Sequence, residues 1–136
     1  MRKKKVPNHV VGNIGLFYVC YELSKRGWNC LPTVRNAKGI DIVIYSQDGK
    51  RMHTIQVKAL SGRNAVPFSK GITVEFDFLI ICRKVWDSPE IFILTLDEAK
   101  KAISRKVNKK GEESYWIEYK DYEKYENAWE KIGEGF

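Results

Sequence analysis

Apolar and polar positions change period several times along the chain, and each change marks an element. Over residues 9–26, Ile14, Phe17 and Tyr21 recur at helical spacing, and Leu16, Val19, Cys20 and Leu23 widen the stripe. That pattern predicts a helix covered on most of its sides. Asn8 is its expected cap and Gly27, after the basic turn Ser24-Lys25-Arg26, its expected stop. A short strand is predicted over 28–31, closed by Pro32, and a polar basic loop over 33–38. Two β-branched runs, 40–45 and 52–57, then flank Asp48-Gly49, the dipeptide suited to a two-residue type I′ hairpin turn. The apolar run 73–82 reads as a buried central strand, and 91–96 as another. Asp97 is the expected cap of a helix over 98–107, and 115–119 reads as an edge strand. Tyr122, Tyr125, Trp129 and Ile132 predict a last amphipathic helix. The order implies an α/β sandwich about a mixed central β-sheet flanked by helices, in a single domain spanning 1–136.

The hairpin carries the candidate chemistry. With a two-residue turn, Gln47 faces Lys50 and Asp41 lies across from Gln56. Side chains alternate along strands, so Asp41, Val43 and Tyr45 share a face with Thr54, Gln56 and Lys58. Ile40, Ile42 and Ile44 share the other face with His53, Ile55 and Val57. One face is nearly all apolar; the other gathers an acid, an amide and an amine at one end. Asp41, Gln56 and the Val57 carbonyl offer oxygens to a hard divalent cation such as Mg²⁺ or Mn²⁺, which takes few protein oxygens and completes its shell with water or phosphate. Lys58 would stand beside that cation, placed to orient a water or to stabilise charge developing on a phosphate. The same residues equally suit a plain cross-strand ion pair between Asp41 and Lys58, worth at most about 1 kcal/mol.

Charge adds direction. The net charge is +7, and residues 1–68 hold twelve Lys and Arg against three Asp and Glu, while 69–136 hold twelve against fourteen. A basic half that contains the polar hairpin end suits a polyanion, because Lys and Arg neutralise phosphates and release counterions; a solvated basic surface with a lysine-rich tail over 1–7 reads the same way. Arg35, Lys38 and Arg63, in loops beside the hairpin, are the candidate phosphate contacts. Three widely spaced cysteines without a CxxC pair argue for reduced thiols rather than structural zinc. No apolar run reaches membrane length and no signal core follows the basic N-terminus, so the expectation is a cytoplasmic protein. No P-loop or dinucleotide fingerprint supports a nucleotide cofactor.

Gly39-Ile40-Asp41, a hairpin, and Ile55-Gln56-Val57-Lys58 together resemble the signature of the PD-(D/E)XK nuclease superfamily, whose restriction-endonuclease-like fold includes Holliday junction resolvases. The preceding helix with Arg26-Gly27-Trp28-Asn29 and the later Asp77-Phe78-Leu79-Ile80 fit the same order, so the resemblance covers about 9–96; the aromatic strand-helix segment 114–132 matches less closely. It implies a DNA endonuclease with Asp41, Gln56 and Lys58 catalytic, the metal held by Asp41, Gln56 and Val57, and DNA as partner, with RNA left open. Duplex or junction cleavage would favour a homodimer. Ile40 replaces the name-giving Pro, and Gln56 stands where many members carry Asp or Glu. Many members also carry a first-helix Glu at the position of Leu16. These departures keep two alternatives in view: a catalytically degenerate nucleic-acid-binding module on the same fold, or a non-enzymatic subunit of a larger DNA-processing complex.

Overall fold

The computed structural model describes residues 6–34 and 39–136. The first helix, α1, spans Asn8–Lys25. Pro7 rather than Asn8 precedes it, and no side chain caps its start. Its end is closed by a Schellman pair, Gly27 N–H to the Ser24 carbonyl and Trp28 N–H to the Leu23 carbonyl. Val11, Gly15, Val19 and Leu23 are the buried face, whereas Phe17 and Tyr21 stand 63% and 59% exposed. The helix therefore centres on a four-residue-spaced row, with Ile14, Leu16 and Cys20 of the expected stripe partly buried beside it and Phe17 and Tyr21 facing out. The row works because Gly15 has no side chain: a Cβ there would collide with the Cβ of Ala59, so α1 lies almost backbone-to-strand at that point.

Five strands form the main sheet: β1 (Asn29–Pro32), β2 (Ile42–Tyr45), β3 (Met52–Ala59), β5 (Phe78–Arg83) and β6 (Glu90–Thr95), in the order β1-β2-β3-β5-β6. All neighbours are antiparallel except β3 and β5. The sheet is thus mixed, as expected. A second sheet, absent from the sequence reading, orders β4 (Val66–Pro67), β8 (Glu113–Ile117) and β7 (Ser104–Val107). Residues 115–117, expected at an edge, lie instead in its central strand. The helix expected over 98–107 is two elements. Helix α2 (Leu96–Ala102) opens on a Thr95–Glu98 capping box, not on Asp97, and the polar run 104–107 pairs as β7. The expected last helix is a single turn, α3 (Tyr119–Tyr122), followed by two 3₁₀ turns, with Asn127 in the left-handed region at φ 53° between them.

Two cores result. Beneath α1, Val19, Leu23, Ile42, Ile44, Ile55, Ile80 and Ile93 are fully buried. On the other face Val66, Leu79, Ile81, Phe92, Leu94, Ile117 and Tyr122 pack under the second sheet, α2 and the C-terminal turns. Strand β5 is buried on both faces because it sits between these layers.

Candidate functional site

The hairpin register is the one the sequence predicts: Val43 pairs with Thr54 and Ile44 with His53. The turn that sets it is different. Ser46 N–H donates to the Arg51 carbonyl and Gly49 N–H to the Ser46 carbonyl, so four residues form the loop. Of Asp48 and Gly49, the glycine alone has positive φ (74°), which excludes type I′. Asp48 instead accepts from the Ser46 hydroxyl at 2.6 Å and the Lys50 N–H at 3.0 Å, an Asx-type brace that keeps the same pairing.

At the open end of the hairpin the alternation breaks. Ile42 pairs with Ile55, and Asp41 N–H also donates to the Ile55 carbonyl at 2.8 Å. Two residues of one strand thus oppose one of the other, which is a β-bulge, and bulges re-aim side chains. The Asp41 carboxylate accepts the Val57 N–H at 2.7 Å through Oδ2, and no donor among the described residues reaches Oδ1. It lines a hollow of about 250 Å³ with Gly12, Asn13 and Leu16 of α1 and Val57 and Ala59 of β3. Residues 55, 57 and 59 turn their peptide edge toward β2, whereas Thr54 turns its own toward β5, accepting the Asp77 N–H at 3.0 Å. The Val57 carbonyl therefore lies on the same edge as the Asp41 carboxylate.

Lys58 sits on the opposite side of β3 from Val57 and Ala59. Its ammonium rests 4.6 Å from the Phe68 ring centroid. Burial lowers the Lys58 pKa from the ordinary lysine value, and the negative charge of Asp41 works against that shift. The expected common face of Asp41 with Gln56 and Lys58 is thus corrected: the bulge puts Asp41 at the helix side of the strand end, within electrostatic reach of a lysine approaching from the other side. Gln56 is half-buried, with no hydrogen-bond partner for its amide among the described residues.

The other candidates separate from this place. Arg63 is committed elsewhere: its Nε and Nη2 donate to both oxygens of Glu123, at 2.8 and 3.0 Å, and its guanidinium stacks 4.2 Å from the Tyr119 ring. Arg35 and Lys38 lie outside the described residues. Asp77 braces β5 on β3 by accepting the Thr54 N–H at 2.8 Å, and with Glu75 it lines a different hollow. His53 is packed edge-on between Trp28 and Phe78, as its place on the apolar face implied. Glu22, the helix's acid, is held by Arg26 at 2.8 Å. Leu16 and Asn13 do face Asp41, so the helix position expected to matter is in place, with a leucine on it. Gly12 and Ala59 were missed; of the two glycines in the helix, Gly15 was the signal for a close approach to Ala59. Among the described residues no group of three His, Cys, Asp or Glu side chains is arranged to hold a metal, and no helix is long and apolar enough to cross a membrane.

A helix, a mixed sheet carrying an irregular hairpin and a covered second face define an α/β sandwich about a mixed central sheet. The structure is similar to that of a bacterial homing endonuclease, I-Ssp6803I, with a TM-score of 0.64 and 17% identity, over 94% of this chain and 92% of that one. No protein-family model matches the chain, and no curated protein does.

Proposed function

We propose that the protein is a Mg²⁺-dependent, DNA-directed endonuclease-like protein of the PD-(D/E)XK type. The observation that carries the reading is the bulged end of the hairpin. A carboxylate with a free oxygen and a backbone carbonyl share one edge there, beside a half-buried lysine, on a fold similar to that of a homing endonuclease. The donor set fits a hard cation held by few protein atoms, with Asp41 and the Val57 carbonyl as ligands, while the Gln56 side chain, on the Lys58 side of β3, lies outside that set. Such an ion, when bound, supplies charge stabilisation at a scissile phosphate. The chain's own contribution is threefold. The Val57 N–H fixes the Asp41 carboxylate. The depressed pKa of Lys58 eases loss of its proton, so that its amine can accept one from an approaching water, while in its charged form it steadies a phosphate oxygen. The basic first half draws in the polyanion. Cutting both strands of a duplex would take two copies related by a two-fold axis.

The test is nicking of supercoiled plasmid with Mg²⁺ or Mn²⁺. Nicking by the parent protein that disappears with chelator, with Asp41→Ala and with Lys58→Ala supports the reading. A second reading, binding without cutting, is favoured by Leu16 facing Asp41 where a second carboxylate would strengthen the cation site. It predicts salt-sensitive binding to DNA or RNA that survives both substitutions, and no nicking by the parent.

A further inference from the structure

Cys20 and Cys30 belong to different elements, the middle of α1 and strand β1, yet Cys30 packs its sulfur against Cys20. The Cys30 sulfur lies against the backbone and side chain of the helix turn that carries Cys20. Cys30 Sγ lies 3.7 Å from the Cys20 carbonyl oxygen and 3.8 Å from that of Trp28, and the Ser24 hydroxyl donates to it at 3.7 Å. Both residues are partly accessible, whereas Cys82 is fully buried with its pKa pushed up to about 12 by burial. The two thiols differ in readiness. The neighbouring Cys20 and the Ser24 hydroxyl favour the Cys30 thiolate, while Cys20 is shifted up by its neighbour Cys30 and by burial. A partly accessible sulfur beside a hydroxyl donor, packed against a second cysteine on a neighbouring element, is the arrangement of an attacking and a resolving cysteine.

We propose that Cys30 and Cys20 form a redox-responsive pair, which a low-molecular-weight disulfide such as oxidised glutathione converts to an intramolecular bond between α1 and β1. The Cys30 thiolate attacks one sulfur of the reagent, forming a mixed disulfide and releasing one thiolate. Cys20 then gives its proton to the released thiolate and attacks the Cys30 sulfur, expelling the second thiolate, which takes up the proton that Cys30 had lost to solvent. The two protein thiols are oxidised and the reagent is reduced to two thiols, so electrons and protons balance.

The full chain, incubated with oxidised glutathione at neutral pH, tests this by mass spectrometry. The expected product has lost two hydrogens and carries no adduct. Because Lys25 and Arg26 lie between the two cysteines, a non-reducing tryptic digest should hold the peptides of Cys20 and Cys30 joined. Cys20→Ser should stop the reaction at a stable mixed disulfide on Cys30, and Cys30→Ser should lose both products. Modification of Cys82, a mixed disulfide persisting at Cys30 in the parent, or thiols that stay fully reduced would each overturn the proposal.

Discussion

Two clusters of charge in this protein behave in opposite ways. Around Arg83 every charge is answered. Arg83 is 7% exposed, and its guanidinium donates to Glu90 and Glu123 at 2.6 Å each and lies over the rings of Phe92 and Tyr122. Glu123 is also held by Arg63, and the two arginines bring its pKa down to about 2. At the hairpin end, by contrast, Asp41 has one oxygen free of donors and Lys58 is half-buried against a ring with no ion pair within 4 Å among the described residues. A satisfied network holds structure together; a desolvated lysine beside an under-used carboxylate costs stability and is retained only where something else gains from it.

Removing Arg83 gives the largest expected effect. Arg83→Met should lower unfolding free energy by about 3 kcal/mol in urea titration, because two carboxylates lose their common partner at a buried site. Acid should expose the same network. A carboxylate held low contributes stability above its ordinary pKa of 4.5, and that contribution is lost as pH falls from there toward about 2. Circular dichroism across that window should show the parent losing stability more steeply than Arg83→Met does.

Lys58 should reverse the pattern. Lys58→Met should leave stability unchanged or higher, yet lower any Mg²⁺-dependent nicking by roughly 100-fold, about 2.7 kcal/mol of activation. A stability loss as large as that of Arg83→Met would place Lys58 among the structural charges and break the contrast. The sign with pH also differs. A lysine whose pKa is lowered by folding binds fewer protons folded than unfolded, so its penalty is relieved as pH rises toward the ordinary value of 10.5. Leu16→Glu sharpens the same end. Placing a second carboxylate in the hollow with Asp41 should cost about 1–2 kcal/mol without metal, and Mg²⁺ should restore part of it in a melting curve. The smallest effect serves as a reference away from both clusters: Thr95→Ala, which removes the α2 capping box, should cost about 1 kcal/mol.

What could be read from the chain was local periodicity and pairing arithmetic. Alternation fixed the β2–β3 register correctly even though the turn was of another type, because Ile42, Ile44 and Ile55 have one apolar face to hide and a slip would expose them. The bulge at Asp41 was not legible, since it depends on the Asp41 N–H reaching the Ile55 carbonyl while its carboxylate takes the Val57 N–H. Nor was the fate of Arg63: its partner Glu123 is sixty residues away, and no local rule joins them. The polar run 104–107 reads as the end of a helix until β8 arrives to pair with it, a case of tertiary contacts overriding local preference. The exposed Phe17 and Tyr21 misled for a related reason. They have helical spacing, but the seat of α1 was chosen by the smallest residue in it.

That seat reaches further than packing. With nothing but hydrogen between Gly15 and Ala59, the helix rests at the lowest height it can have above the strand, and Gly12, Asn13 and Leu16 form the roof over Asp41 from that height. A methyl group at 15 would act as a shim, lifting the roof and widening the chamber without altering any residue that lines it. The size of whatever enters beside the carboxylate is therefore governed from a position that never meets it.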